Sequence, residues 1–436
     1  MTVREIALAL LSEIEEQEKY ANLALNSHLT DRLPPKDKKI LTALLYTTVE
    51  HKLTYDYYIG YLSGRNTKDI APRVKNILRL GLCQILDMKS IPDFAAVNET
   101  VKLAKNQGER SFINGVLRRA VREREELPLP DRSKNAARYL SVKYSYPQST
   151  VKRFISALGE EDTERLLLAF ENNKYTDLTV NTTKITPSEL AERLRADGIS
   201  AHVHEISEIT VRIDGSCDPR ELFGFSEGLF FVQDAASAIS ALALGARAGE
   251  RIIDVCACPG GKSFASAILS GDAAEILSFD LHASKLSLIE SGALRLGLKS
   301  VSAREQDATR PDEALFGRAD KVICDVPCSG LGVLAKKPDL RYKDIERAEE
   351  LSLLGREILE ASSRYLKPRG VLAFSTCTLE KCENTDTVSS FLREHPEFSL
   401  LDFKVGGLSS KNGELTLYPH IHGTDGFYIA LLGKNG

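Results

Sequence analysis

Two cysteines in the C-terminal half of the chain stand where a thiol is able to react with a ligand. Cys328 follows the apolar run Lys321–Asp325, Cys377 follows the run Val371–Thr376, and each lies in a short polar turn. If both runs are strands of one parallel sheet, both thiols reach its carboxyl edge, where open α/β sheets bind their ligands. The glycine-rich turn 254–263 would open onto the same edge. The sequence therefore predicts thiol chemistry beside a nucleotide-like ligand.

Three roles are open to these thiols. Zinc ligands usually come as cysteine pairs with two other residues between them; the sequence lacks this spacing, although ligands from separate loops stay open. Burial in a core is common for free cysteine, and it suits Cys83 on an apolar helical stripe and Cys324 inside a strand. It suits Cys328 and Cys377 poorly, because turn residues surround both. The third role is nucleophilic catalysis on a base.

Nucleophilic catalysis would overcome the low reactivity of C5 in a pyrimidine toward a methyl sulfonium. A thiolate that adds at C6 converts the ring into an enamine whose C5 attacks the methyl group, and loss of the C5 proton then lets the thiolate leave. Asp325, three residues before Cys328, is placed to bond the N3–H or the exocyclic amine as charge develops. Lys262 or a helix N-terminus would lower the pKa of a nearby thiol.

The turn between residues 254 and 263 has the shape of a nucleotide-binding loop, because its glycines let the backbone approach a ligand and a helix N-terminus follows. A P-loop would need glycine at position 256, which is cysteine, and the G-x-G-x-x-G dinucleotide pattern is absent. The remaining interpretation is an S-adenosylmethionine site, in which Asp280 bonds the ribose and Asp307 meets the adenine edge. Acidic residues at the ends of four predicted strands favour this site over a plain strand–turn–helix connection.

The elements that would position these residues change in type along the chain. Residues 1–126 show apolar residues at helical spacing, and residues 127–133 break that pattern as a linker. Residues 136–215 combine short strands with a helix that a capping box at Thr186 starts. From about residue 216, apolar runs alternate with helical segments, which indicates a mainly parallel sheet. We predict a multidomain chain: an all-α domain over 1–130, a linker and small α+β module over 131–215, and an α/β Rossmann-like domain over 216–436.

Bulk composition excludes several classes of protein. The 436 residues include eight cysteines, too scattered for a disulfide framework, so a reducing compartment is expected. No apolar run approaches the roughly 20 residues that span a bilayer, and the N-terminus lacks the apolar core of a signal peptide. We expect a cytoplasmic protein with no membrane partner. Residues 1–135 have 22 Lys and Arg against 18 Asp and Glu, a mild basic excess that permits a polyanion partner.

The motifs around the two thiols resemble those of a known family. Asp325-Val-Pro-Cys-Ser-Gly330, Ser375-Thr-Cys-Thr378 and the turn Cys256-Ala-Cys-Pro-Gly-Gly-Lys262 look like the RNA 5-methylcytosine methyltransferases of the Sun (NOL/NOP2/Sun) group. The resemblance implies that Cys377 is the nucleophile and that Cys328 assists release of the methylated RNA. No metal is expected. The implied contacts to S-adenosyl-L-methionine are Cys256, Ala257, Cys258, Pro259, Gly260, Gly261, Lys262, Asp280, Lys285, Asp307 and Asp325.

The N-terminal part carries a second resemblance. Val97-Asn-Glu-Thr-Val101 and Phe112-Ile-Asn-Gly-Val-Leu-Arg-Arg119 are similar to the NusB antitermination fold. A NusB-like RNA-binding domain joined to a Sun-type methyltransferase is the arrangement of bacterial 16S ribosomal RNA cytosine-5 methyltransferases, and the likeness covers nearly the whole chain. It implies an enzyme that methylates C5 of a cytosine in 16S ribosomal RNA, either naked or in a partly assembled small subunit. We expect a monomer.

RNA contacts are expected from basic residues near the motifs, because a base modified at C5 must leave its stack. These residues are Lys336, Lys337 and Arg341, which follow Cys328, and Arg118 and Arg119 at the end of the N-terminal domain. A solvated charged face is the alternative for both clusters. Two other functions stay open for the chain: a transfer-RNA cytosine-5 methyltransferase, and a catalytically silent RNA-binding or antitermination factor. The presence of both thiols with Asp325 argues against silence.

Overall fold

The structure is a computed structural model that describes residues 1–16, 21–25, 30, 33–215, 217–342 and 347–436. The chain forms two compact units. The first contains Met1–Leu168 together with Lys336–Lys343, and the second contains Ala169–Ala335 and Asp344–Gly436. The domain boundaries at residues 130 and 215 stay predictions.

The first unit is built from helices, as the apolar spacing predicts. Its core surrounds the helix Pro72–Leu86, in which both the apolar stripe and several residues beside it are buried. In chain order the helices are α1 Val3–Glu16, α2 Ala21–Leu25, α3 Pro35–Glu50, α4 Lys52–Ser63, α5 Pro72–Leu86, α6 Asp93–Val101, α7 Gln107–Arg122, α8 Ala136–Tyr144, α9 Gln148–Leu158 and α10 Glu160–Asn172. The chain from 136 to 172 is therefore helical, and the strands of the middle module begin only after it.

The second unit begins with a four-stranded antiparallel sheet. Its elements are β1 Tyr175–Val180, α11 Pro187–Ala196, β2 Ala201–His204, β3 Ser207–Asp214 and β4 Phe230–Val232. The strand order is β2-β3-β1-β4. The predicted capping box is present: the Thr186 hydroxyl accepts the Glu189 N–H, and the Glu189 carboxylate accepts the Thr186 N–H. This pair starts α11, whose apolar face covers the sheet.

A second, larger sheet carries the predicted site. The remaining elements are α12 Ala235–Leu244, β5 Arg251–Asp254, α13 Gly261–Leu269, β6 Glu275–Asp280, α14 Ala283–Leu296, β7 Val301–Glu305, β8 Ala319–Asp325, α15 Arg347–Ser363, β9 Leu366–Thr376, α16 Thr385–Glu394, β10 Phe398–Leu400, β11 Lys404–Val405, β12 Leu408–Ser409, β13 Glu414–Leu417, α17 Pro419–His422 and β14 Phe427–Lys434. The order is β10-β14-β9-β8-β5-β6-β7, with β13 on β14.

The direction of the strands places the site. Strands β5 to β9 are parallel, whereas β14 is antiparallel to β9, β10 and β13. The order of connections reverses between β8 and β5, and ligands in open α/β sheets bind beyond the carboxyl ends of strands at such a reversal. The glycine-rich turn follows β5, and the two thiols follow β8 and β9, so all three meet at this edge.

Candidate active site

The two thiols lie in contact. Strands β8 and β9 are neighbours, with Asp325 paired to Ser375 in register. Cys328 comes three residues after the first of these and Cys377 two after the second, so the loops leave the sheet side by side. The Sγ atoms of Cys328 and Cys377 are 3.3 Å apart. The geometry therefore brings both thiols to one point of the sheet edge.

A close backbone contact holds the Cys328 loop in this position. The Gly332 N–H donates to the Cys377 carbonyl at 2.9 Å, and the Gly426 N–H donates to the Gly332 carbonyl at 2.8 Å. A Cβ added to Gly332 would stand 1.9 Å from the Gly426 carbonyl oxygen. Glycine is required at this position because no side chain fits between the two loops.

The environment of Cys328 favours the protonated thiol. Its hydrogen bond with Cys377, then burial, then the nearby Glu383 carboxylate raise the pKa of Cys328 well above its usual value. This is opposite to the prediction that a positive group lowers the pKa of a thiol. Lys262, the expected positive group, is engaged elsewhere: its Nζ lies 2.6 Å from the Asp325 Oδ2. These surroundings therefore disfavour the charged thiolate of Cys328.

Asp325 is held on both sides of its carboxylate. Lys262 bonds Oδ2, and the Ser375 hydroxyl donates to Oδ1 at 2.6 Å. Lys262 also lies 5.0 Å from the centroid of the Phe427 ring. These contacts fix the Asp325 carboxylate at the sheet edge, three residues before Cys328.

A cavity of about 220 Å³ lies at the same edge. Its lining includes Asp325 and several residues of the glycine-rich turn, namely Cys256, Ala257, Cys258, Pro259, Gly261 and Lys262. Gly260 has φ +110, and a Cβ there would meet the Phe264 ring at 2.4 Å, so the turn cannot bear a side chain at that point.

Asp254 is a buried carboxylate in the lining of the cavity. Its Oδ2 accepts the Ser263 hydroxyl at 2.7 Å, whereas its Oδ1 has no hydrogen-bond partner within the described ranges. Burial raises the pKa of Asp254 to about 7. A buried carboxylate oxygen that lacks a donor is matched to a cationic or N–H-bearing ligand, because an unsatisfied buried group costs free energy.

Four predicted ligand residues lie outside the cavity lining: Gly260 in the turn, and Asp280, Lys285 and Asp307 beyond it. Asp280 ends β6 and accepts the His282 N–H. Asp307 follows β7, and its Oδ1 accepts the N–H and hydroxyl of Thr309. Lys285 is exposed in the first turn of α14, and its carbonyl lies 3.8 Å from the Cys258 sulfur. Asp280 and Asp307 follow successive strands along the same edge.

Asp254→Asn is expected to stabilise the fold. An acid whose folded pKa is raised contributes stability that is lost as pH rises from the unfolded value, near 4, through the folded one, near 7. Removing the ionisable group should therefore raise the free energy of unfolding at pH 8 by on the order of 4 kcal/mol, and the gain should shrink toward pH 4. Denaturant titrations at several pH values measure it, with the exposed Asp386→Asn as control. A destabilised variant at pH 8 would contradict the assignment.

Comparison with known proteins identifies the family. The model of the 16S rRNA methyltransferase RsmB/F matches residues 241–433. The probable ribosomal RNA small subunit methyltransferase B of Bacillus subtilis is 34% identical, with 100% of this chain and 99% of the relative covered. The chain belongs to the RsmB/F family of 16S rRNA methyltransferases. The ribosomal RNA small subunit methyltransferase B of Synechocystis, also named as probable, is 33% identical with 100% of both chains covered.

The other parts of the chain match the domains expected beside an RsmB/F methyltransferase. The NusB family matches residues 1–122, and the ferredoxin-like domain of RsmF/B-like methyltransferases matches residues 146–220. The crystal structure of PH0851 superposes with a TM-score of 0.81 at 28% identity, covering 99% of this chain and 98% of that one. The predicted architecture of an all-α NusB-like domain, a small α+β module and a Rossmann-like methyltransferase domain is confirmed.

One of the predicted RNA contacts is wrong in this RsmB/F chain. Arg341 is 1% exposed. Its Nη2 lies 3.1 Å from the Glu50 Oε1, and its guanidinium stacks 4.2 Å from the centroid of the Tyr146 ring. The segment Lys336–Lys343 belongs to the helical unit, and Arg341 anchors it there. An arginine with its charge paired inside a core has no surface for phosphate.

The other four basic residues predicted to contact RNA are at least partly exposed to solvent. Lys336, Lys337 and Arg118 are exposed. Arg119 is half-buried: it pairs with Glu123 at 2.8 Å and lies over the Tyr61 ring. Their role toward RNA stays a prediction.

Arg341→Ala is expected to destabilise the helical unit by about 3 kcal/mol, because it leaves the partly buried Glu50 without its partner. Lys337→Ala, an exposed neighbour of similar charge, should leave the free energy of unfolding unchanged. Thermal and denaturant unfolding measure both variants. Normal stability of Arg341→Ala together with weakened RNA binding would restore the phosphate role.

The structure adds a buried carboxylate that the sequence did not reveal. Glu383 lies in a short 3₁₀ turn after β9 and is 3% exposed. It accepts hydrogen bonds from Ser329, the residue after Cys328. The only signal in the sequence was its position six residues after Cys377 between other polar residues, which does not distinguish it from a surface glutamate.

Two classes of feature are missing from the part of the chain that the structure describes. No helix there has the length and apolar content needed to cross a membrane. Nor does any group of three or more His, Cys, Asp and Glu side chains within the described ranges have the arrangement of a metal site.

Proposed function

We propose that this RsmB/F protein transfers the methyl group of S-adenosyl-L-methionine to C5 of a cytosine in 16S ribosomal RNA. The observation that carries the proposal is the pair of thiols 3.3 Å apart, beside a fixed carboxylate and a cavity lined by a glycine-rich turn. A methyl transfer to oxygen or to an exocyclic nitrogen needs no thiol, whereas transfer to C5 of a pyrimidine needs a nucleophile at C6.

Cys377 is the proposed nucleophile. Its thiolate adds to C6 of the cytosine, a carbon–sulfur bond forms, and the electron pair moves to C5. The bound donor supplies an electrophilic methyl group on a sulfonium sulfur. After methylation, a solvent water takes the C5 proton, the electron pair of that C–H bond restores the ring double bond, and the bond between C6 and the sulfur breaks with its electron pair returning to the Cys377 sulfur.

We propose that Asp325 assists the first steps of this reaction and that Cys328 assists the last one. The Asp325 carboxylate would bond the N3 side and amino group of the cytosine, and Lys262 and Ser375 preset its orientation, so little reorganisation is needed as charge develops. Cys328 remains protonated because its pKa is raised. It can donate a proton to the leaving Cys377 sulfur, which is 3.3 Å away.

The residues of the turn fit the methyl donor. Asp254 Oδ1 offers a buried acceptor to an ammonium group, such as that of the methionine part, and the turn residues Cys256–Pro259, Gly261 and Lys262 line the same cavity. Asp280 and Asp307 end neighbouring strands and are proposed to meet the ribose and the adenine. If Asp254 binds the ammonium group, Asp254→Asn should weaken donor binding in calorimetry while it stabilises the fold.

Labelled donor tests the proposal with unmethylated 16S ribosomal RNA, unmethylated transfer RNA, and a small subunit lacking the modification. The expected result is transfer to a cytosine of 16S ribosomal RNA, free or in the subunit. Transfer to transfer RNA alone would show that transfer RNA, and not 16S ribosomal RNA, is the substrate. Absence of transfer to every RNA, with donor bound, would favour a silent RNA-binding factor.

A further inference from the structure

One buried carboxylate connects the loops that carry the two thiols. The Glu383 Oε1 accepts the Ser329 N–H at 2.7 Å, and its Oε2 accepts the Ser329 hydroxyl. The Ser329 Oγ lies 2.8 Å from the Thr378 Oγ1. Ser329 directly follows Cys328, and Thr378 directly follows Cys377. The hydrogen bonds of Glu383 therefore act on the residues next to both thiols.

The surroundings of Glu383 explain why it keeps this place. Burial raises the pKa of Glu383, and a buried carboxylate without donors would be costly. Two donors from Ser329 offset that cost. The next residue, Asn384, fixes the turn: its side-chain nitrogen donates to the Thr378 carbonyl at 3.0 Å, and its side-chain oxygen accepts the Thr376 hydroxyl. Glu383 is thus anchored to the loop of Cys377 and bonded to the loop of Cys328.

We propose that Glu383 is a positioning residue that holds Cys328 beside Cys377 and so sets the efficiency of the release step. Without the carboxylate, the N–H and hydroxyl of Ser329 lose their acceptor, and the loop of Cys328 gains freedom. The consequence for catalysis rests on the proposed function. The consequence for the distance between the thiols does not.

Thiol–disulfide exchange measures this distance without RNA. The protein dithiol and oxidised glutathione give the Cys328–Cys377 disulfide and two molecules of reduced glutathione, so the equilibrium constant reports the effective concentration of one thiol at the other. Glu383→Ala is expected to lower this constant about tenfold or more, because orientation is lost. Glu383→Gln keeps an acceptor for Ser329 and should stay within about threefold of the parent. Asp386→Asn, an exposed carboxylate three residues on, is the matched control and should change nothing.

Two outcomes of the exchange measurement overturn the proposal. One is an equilibrium constant for Glu383→Ala equal to that of the parent protein. The other is an equal change in Glu383→Ala and Glu383→Gln, which would assign the effect to the lost charge and not to the hydrogen bonds. If Glu383→Ala does not fold, Ser329→Ala removes the hydroxyl link, and an unchanged constant in that variant overturns the proposal equally.

The catalytic consequence has its own measurement. With ribosomal RNA and donor, Glu383→Ala should lower kcat about tenfold while the KM for the donor stays unchanged, and covalent protein–RNA adduct should build up. A lower kcat without adduct overturns the link to release. If the parent protein methylates no RNA, the proposed function fails, and the glutathione result still decides whether Glu383 positions the thiols.

Discussion

Cys377→Ala is expected to lower methyl transfer by at least about 10³-fold in kcat, since removal of a covalent nucleophile leaves only the contribution of binding and electrostatics. Without the sulfur, C5 of the cytosine stays too weak a nucleophile to take the methyl group. Binding should persist, because the donor cavity and its Asp254 carboxylate are unaffected. Transfer of labelled methyl to ribosomal RNA measures the loss, and calorimetry measures donor binding.

Cys217→Ala provides the control for this variant. Cys217 is a free, half-buried cysteine of the middle module and is not part of the thiol pair. Its replacement should leave the rate unchanged. A Cys377→Ala protein that keeps a tenth or more of the parent rate would refute the nucleophile assignment.

Cys328→Ala is expected to trap the reaction after the carbon–sulfur bond has formed. The Cys328 thiol lies 3.3 Å from the Cys377 sulfur, and its raised pKa keeps the proton available. Without it, one methyl group should be transferred per protein and most of the protein should remain bound to RNA. On denaturing gels the adduct should migrate more slowly than the free protein, and ribonuclease treatment should increase its mobility.

The double variant Cys328→Ala with Cys377→Ala separates the two roles. It should form no adduct, because the nucleophile is gone. An adduct from Cys377→Ala and none from Cys328→Ala would reverse the assignment and make Cys328 the nucleophile.

The sequence predicted the location of the site because its signals are local. Apolar runs followed by polar turns place strand ends, and parallel strands bring their carboxyl ends to one edge. This was sufficient for Cys328, Cys377, Asp325 and the turn Cys256–Lys262 to be expected together. The observed strand β8, Ala319–Asp325, ends at the same residue as the apolar run Lys321–Asp325.

Other features depend on contacts between residues distant in the chain, which a local pattern does not contain. The apolar run of β14 is the same whether the strand is parallel or antiparallel. Arg341 was expected at the surface because it is charged, yet Glu50, 291 positions earlier, pairs with it. The role of Glu383 depends on Ser329, 54 positions earlier. The helices α8 to α10 were missed although their signal is local: α9, for example, buries Val151 and Phe154 on one face.

Release of tritium from ribosomal RNA that carries [5-³H]cytosine tests whether the methyl group goes to C5. Methylation at C5 must expel the hydrogen at that carbon, so we expect one tritium released into water for each methyl group transferred. The same ratio should hold for every RNA that the protein accepts. Transfer of methyl groups without release of tritium would place the methyl on another atom and refute methylation at C5.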